Sequence, residues 1–113
     1  MPFISTTTNT EITKDNELAL KSRYAKALSL IGKSESYIML DFVPNHSMYF
    51  GGKSDSPIAF VEVKYFGKAD SSSLNSLTAE ICSAVSQELG IAQDKIYVKY
   101  EAVESWGWNG SNF

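Results

Sequence analysis

Ile58–Tyr100, IAFVEVKYFGKADSSSLNSLTAEICSAVSQELGIAQDKIYVKY, is the stretch whose reading decides the fold. Ile58 to Phe66 is rich in apolar, β-branched and aromatic residues, the types that fit a half-buried pleated surface. Ser71-Ser72-Ser73 follows, and short hydroxyl side chains can accept from the free N–H groups that open a helix. Leu74, Leu77, Ile81, Ala84, Val85 and Leu89 then recur at three- and four-residue steps, the stripe of a helix laid on a core. Gly90 stops it, since glycine takes the left-handed geometry after a helix at little cost. Ile96–Tyr100 reads as a closing strand, so the stretch is one β-α-β unit.

The residues before it give the same reading. Phe3–Thr8 predicts a strand, and Thr13, Asp15 and Asn16 carry helix-starting chemistry. Leu20, Tyr24, Ala27, Leu28 and Ile31 make an apolar stripe, with Gly32 as the stop. Tyr37–Leu40 with Phe42-Val43 predicts a buried strand. Two successive β-α-β units give an α+β fold: a four-stranded mixed sheet with both helices on one face, plus short edge strands, because right-handed crossovers put both helices on the same side. The other sheet face is expected to keep a large apolar area for another subunit to cover. Between the units Asp41–Pro57 reads as a link with Met48-Tyr49-Phe50 as a short edge strand. The tail Trp106–Phe113 holds both tryptophans and a terminal aromatic, and is expected to pack against the body.

The size, 113 residues, suits one domain over 1–113. Hydrophobic content of 43% and charged content of 20% are those of an ordinary globular chain. A net charge of -3 supplies no basic field for nucleic acid, which argues against that class of partner. The start lacks the basic region and apolar run of a secretory signal, and no apolar run nears the roughly 20 residues that cross a bilayer. The cytosol is the expected location, with no membrane partner; unconventional secretion would leave no mark in these residues.

Several motifs carry no chemistry. Gly51-Gly52-Lys53-Ser54 looks like the end of a phosphate loop, but Ser47 stands where its first glycine belongs, so it reads as a tight turn. His46 is the sole histidine and has no metal-ligand spacing around it. Cys82, the only cysteine, falls within the second helix and reads as a buried, inert thiol. No metal or organic cofactor is expected.

Pro2 is different. A small residue at this position lets Met1 be removed, leaving a secondary amine at the start of a strand. An α-amine titrates near pH 8, and burial or a neighbouring cation lowers that value. An amine brought toward neutrality is a general base, worth roughly 10²- to 10⁴-fold in rate. Lys33, just past the first helix, is the candidate cation.

A set of short strings in order over nearly the whole chain then resembles the family of macrophage migration inhibitory factor and D-dopachrome tautomerase. They are Met1-Pro2-Phe3-Ile4, Gly32-Lys33 with Tyr37-Ile38, Pro44 leading to Phe50-Gly51-Gly52, Phe66-Gly67-Lys68, Asp94–Val98, and Gly107–Ser111 before Phe113. The resemblance implies a homotrimer and keto–enol tautomerisation of phenylpyruvate-like acids, with dopachrome-like substrates a further option. It implies that Pro2 is the base, and that Lys33 with the backbone N–H of Phe66 holds the substrate carboxylate. Tyr97 from the neighbouring subunit, with Tyr37, Trp108 and Phe113, would line the pocket. The alternative it implies is a cytokine-like ligand for a cell-surface receptor, its tautomerase pocket vestigial.

The chain departs from animal members at several places. Phe66 replaces an aliphatic residue, Lys99 stands where an asparagine is usual, and Trp106 lies in a shortened segment before the last Trp-Asn. Lys99 is expected to add a second cation to the pocket, and Trp106 to change its rim. The Cys-x-x-Cys of animal members falls at Ile58–Val61, so thiol–disulfide exchange is not expected.

Overall fold

Strict alternation along two strands builds the centre of the molecule. In the computed structural model, which describes residues 2–113, every second residue of β1 (Pro2–Thr8) and β3 (Ala59–Phe66) is buried. These two strands run antiparallel, with Pro2 opposite Tyr65 and Thr8 opposite Ala59. β2 (Met39–Val43) adds parallel to β1, and β4 (Ile96–Val103) adds parallel to β3. The sheet order β2-β1-β3-β4 is therefore that of two β-α-β units joined through their first strands.

The helices α1 (Lys14–Ala27) and α2 (Ser71–Leu89) cover one sheet face. Leu20, Tyr24, Leu77, Ile81 and Val85 from the helices meet Ile4, Val61 and Val63 from the sheet in one core. Polar groups are satisfied inside it. The Tyr24 and Thr6 hydroxyls lie 2.7 Å apart, and Tyr100 and Thr78 make a bond of the same length between β4 and α2. The helices are tied together at the surface, where Arg23 donates to Gln87 and the Asn16 amide donates to the Glu88 carbonyl.

The structure refines several expectations. Asp70, and not the serine run after it, caps α2 by accepting from the backbone N–H of Ser73 at 2.7 Å; the serines form the first turn. On α1 the stripe residues Leu28 and Ile31 are buried as expected, but in a tightened 3₁₀ turn that ends at Gly32 in the left-handed region. Tyr37 belongs to a 3₁₀ turn, Glu35–Tyr37, and the strand begins only at Met39. Met48–Phe50 forms no strand: Phe50 makes a single bridge to Lys53 across the glycine turn. The short strands lie in the tail, where β5 (Gly107–Trp108) and β6 (Ser111–Asn112) pair around Asn109-Gly110. Both turn residues have positive φ, the requirement of a two-residue hairpin whose twist matches its strands.

The sheet face away from the helices is not the broad apolar surface expected. Phe60 and Tyr97 lie at one end and Phe66 at the other. Between them one row is Asp41, Ser5, Glu62 and Lys99, and the next is Met39, Phe3, Lys64 and Glu101, so apolar and charged side chains are mixed. The strands alternate so regularly that every second residue of "Phe-Val-Glu-Val-Lys-Tyr-Phe" falls on this side. The polar groups there pair with one another, Ser5 donating to Asp41 at 3.0 Å and Lys64 lying near Glu62 at 3.5 Å.

Candidate active site

Pro2 is buried at the first position of β1, with its neighbour Phe3 opposite Lys64. A pocket of about 710 Å³ opens there, walled by Pro2, Phe3, Tyr37, Lys64, Trp106 and Trp108. The 3₁₀ turn that displaced Tyr37 from the strand is what brings it to this wall. The β5–β6 hairpin supplies the opposite one. Tyr37 meets Trp108 edge-on, ring centres 5.6 Å apart. Trp108 stacks on Phe113 at 6.2 Å, and Phe113 in turn touches Phe66 at 5.6 Å. The tail thus packs as expected, although Trp108 and Phe113 stay about half exposed.

Lys33 arrives from the helix side. Gly32 at φ 69° turns the chain, and the Lys33 ammonium then donates to the Phe66 carbonyl at 2.7 Å. It lies 5.9 Å from the centre of the Tyr65 ring, which faces the helices. The chain next to it turns at Gly67, whose φ of +99° favours glycine, while a Cβ there would make only ordinary contact with the ammonium at 3.6 Å. Lys33 thus stands behind the end of β3 and holds the Phe66 carbonyl. The N–H expected to bind a carboxylate belongs to that same residue.

The structure therefore gathers Pro2, Tyr37, Trp106 and Trp108 around one hollow. Phe113 and then Phe66 continue the aromatic chain from Trp108 outside its wall, and Lys33 lies beyond them on the Phe66 carbonyl. Tyr97 and Lys99 are elsewhere in the same chain. Tyr97 registers with Phe60, which registers with Thr7, five residues along β1 from Pro2. At ~3.3 Å per residue that is roughly 17 Å. The Tyr97 ring packs on Phe50, and Lys99 pairs with Glu101 at 3.7 Å. Only another copy of the chain could bring them to Pro2.

Lys64 was missed by the sequence reading. Its signal was the strand alternation, which sets Phe60, Glu62, Lys64 and Phe66 on one face; reading Ile58–Phe66 only as an apolar-rich strand hid it. The expected removal of Met1 concerns a residue outside those described. Among the described residues no three His, Cys, Asp or Glu converge as metal ligands. Burial pushes the Cys82 thiol up, which keeps it protonated and unreactive.

Two alike β-α-β halves in one four-stranded sheet, with a proline opening the first strand beside an aromatic hollow, define the class: an α+β chain of the tautomerase superfamily, which includes isomerases. The profile described as Macrophage migration inhibitory factor matches residues 1–113, and the chain belongs to that family. It is similar to macrophage migration inhibitory factor of Meriones unguiculatus, 30% identical over 115 aligned residues that take in all of this chain and 99% of the relative. Among solved structures it resembles MIF2 of Leishmania major with a TM-score of 0.93 at 32% identity, covering 100% and 97% of the two chains. A macrophage migration inhibitory factor homologue from Prochlorococcus marinus superposes with a TM-score of 0.89 at 34% identity, covering 98% of each.

Proposed function

We propose that this chain is a keto–enol tautomerase for phenylpyruvate-like acids, working as a homotrimer, with Pro2 as general base once Met1 is removed. The observation that carries the reading is the burial of Pro2 in the wall of an aromatic-rimmed pocket. A neutral amine there takes the proton of the enol hydroxyl and delivers a proton to the adjacent carbon. The O–H bond and the C=C bond give way to a C–H bond and a C=O bond, so the reaction is internally balanced. It needs a base and a place for the acid, and no electron acceptor.

Each side chain has a share. Tyr37, Trp106 and Trp108 give an aryl group an apolar slot. Lys33, with the Phe66 backbone, offers a charged donor to the carboxylate, and a cation near the amine favours its neutral form. Tyr97 and Lys99 complete the site from the neighbouring subunit. This fits their place away from Pro2 in the same chain, with Tyr97 at the opposite end of the sheet and 58% exposed, and Lys99 registered with Glu62 in its middle.

The test combines intact-mass measurement with a UV assay on phenylpyruvate. The mature mass should lack Met1, and Pro2→Gly should lose about 10²- to 10⁴-fold in kcat/KM. Equal activity in wild type and variant would remove Pro2 from the mechanism.

A further inference from the structure

The pocket beside Pro2 has a cation that the tautomerase reading leaves unused. Adjacent strand residues point to opposite sheet faces, so Tyr65 faces the helices and Lys64 faces away. Lys33 lies over Tyr65 on the helix side. Lys64 stands across β1 from Phe3, its ammonium 5.9 Å from the Phe3 ring, and it forms part of the pocket wall. Two ammonium groups therefore flank the end of β3 from opposite faces, with the start of β1 paired beside it. Lys33 is already engaged by a carbonyl at 2.7 Å. Lys64 has only the Glu62 carboxylate at 3.5 Å, a looser contact. The Lys64 side chain is 40% exposed, so its ammonium stays hydrated and reachable. It is the one charged group in a pocket wall that otherwise holds mainly apolar and aromatic side chains such as Phe3, Tyr37, Met39, Val103, Trp106 and Trp108.

We propose that Lys64 is a specificity-determining residue that holds a second anionic group, so that the pocket takes dianionic 2-keto acids and their enols in preference to monocarboxylates. The inference rests on the reading of Pro2 as base, and it adds the substrate class. Glu62 competes with the substrate for the same ammonium.

The experiment compares phenylpyruvate with para-carboxyphenylpyruvate, which differ by one carboxylate. The wild type should favour the second in kcat/KM. Lys64→Met should lower that ratio about fivefold, near the upper limit for a partly exposed ion pair, through KM. Lys64→Arg should retain the ratio, and Glu62→Gln should raise it about twofold. A ratio unchanged in Lys64→Met, or a wild type that favours phenylpyruvate, overturns the proposal. Binding read from quenching of Trp106 and Trp108 fluorescence separates this from the fate of the base. If Pro2→Gly is as active as wild type, the mechanism fails, yet tighter binding of the dianion in wild type than in Lys64→Met still supports the role of Lys64. Equal quenching by both acids in both proteins overturns it.

Discussion

The two halves of the chain use one backbone plan for different ends, and the contrast is sharpest just after each helix. Gly32 and Gly90 have nearly the same geometry, φ 69° and ψ 25° against φ 68° and ψ 32°. The residue that follows Gly90 is Ile91, 1% exposed and part of the core. The residue that follows Gly32 is Lys33, which reaches the Phe66 carbonyl. The same turn thus closes the core in one half and sets a cation behind the pocket in the other. The pocket also depends on a second asymmetry: both halves make a 3₁₀ turn next, Glu35–Tyr37 and Gln93–Lys95, but the first ends on Tyr37, which reaches the pocket wall, and the second on Lys95. Fold symmetry does not imply site symmetry; two side-chain choices after a shared turn suffice to separate them.

Exchanging those two residues gives the largest expected effects. Ile91→Lys would place an unpaired ammonium in the core and remove a packed side chain, at a cost of about 4 kcal/mol or more. Against a total stability of about 5–15 kcal/mol the variant should lose most of its cooperative thermal transition in circular dichroism. Lys33→Ile should melt within a few degrees of wild type, because the Phe66 carbonyl is left near solvent. Its kcat/KM on phenylpyruvate should fall about ten- to a hundredfold, the range for a lost charge-assisted hydrogen bond. A Lys33→Ile protein as unstable as Ile91→Lys would mean that Lys33 is a structural residue, and the contrast between the halves would collapse.

A smaller difference separates the two tyrosine straps. Both halves tie helix to sheet with a Tyr–Thr hydroxyl bond of 2.7 Å, but with the roles exchanged: Tyr24 is on α1 and Thr6 on β1, whereas Tyr100 is on β4 and Thr78 on α2. Tyr24 is 1% exposed and Tyr100 is half-buried. Tyr24→Phe leaves the Thr6 hydroxyl unpaired in the core and should cost about 1–3 kcal/mol in urea unfolding; Tyr100→Phe should cost about 1 kcal/mol or less, since the Thr78 hydroxyl keeps the Leu74 carbonyl. Burial pushes both phenols up, so their contribution is complete below the unfolded value of about 10 and is lost as pH rises through it. Above about pH 10 the wild type should destabilise more steeply than Tyr24→Phe. Parallel curves would deny the phenol this role.

Much of this plan was legible in the residues. The stripes of both helices followed from periodicity, because period and burial coincide in Leu20, Tyr24, Leu77, Ile81 and Val85. The glycine stops followed from their place after each stripe, and the four main strands from apolar and β-branched composition. What escaped was finer than a period. Tyr37 looked like the start of a strand since Tyr37–Leu40 is uniformly apolar, and only the Ser34 side chain, accepting from Ser36, sets the turn that holds it out. The charged sheet face escaped because a run such as Ala59–Phe66 was read as composition and not as two alternating faces. The site was half legible. Pro2, Tyr37, Trp106 and Trp108 share one pocket wall, with Phe113 and Phe66 stacked on from Trp108, while Tyr97 lies at the far end of the sheet and Lys99 in its middle. No periodicity in a single chain can show which of its ends meet in an assembly.

The helix starts give the smallest contrast. Thr13 opens α1 by accepting from the N–H of Asn16 at 3.1 Å, and Asp70 opens α2 through the N–H of Ser73 at 2.7 Å. Replacing either by alanine should lower Tm by about 4 °C near neutral pH. Their pH behaviour should differ. The backbone N–H of Ser73 foremost, with the Ser73 hydroxyl, holds the Asp70 carboxyl below the usual carboxylate range. A depressed folded value means the stabilisation is present above the unfolded pKa of about 3.9 and is lost as pH falls through the lower folded one. Thr13 does not titrate, so its cap survives acid. Melting curves between pH 6 and 2 should therefore show the gap between wild type and Asp70→Ala shrinking below about pH 4, with the gap to Thr13→Ala unchanged. A gap for Asp70→Ala that is undiminished at pH 2 would show that the charged carboxylate is not what holds the first turn of α2, and that the serine run does more of the capping than the geometry assigns to it.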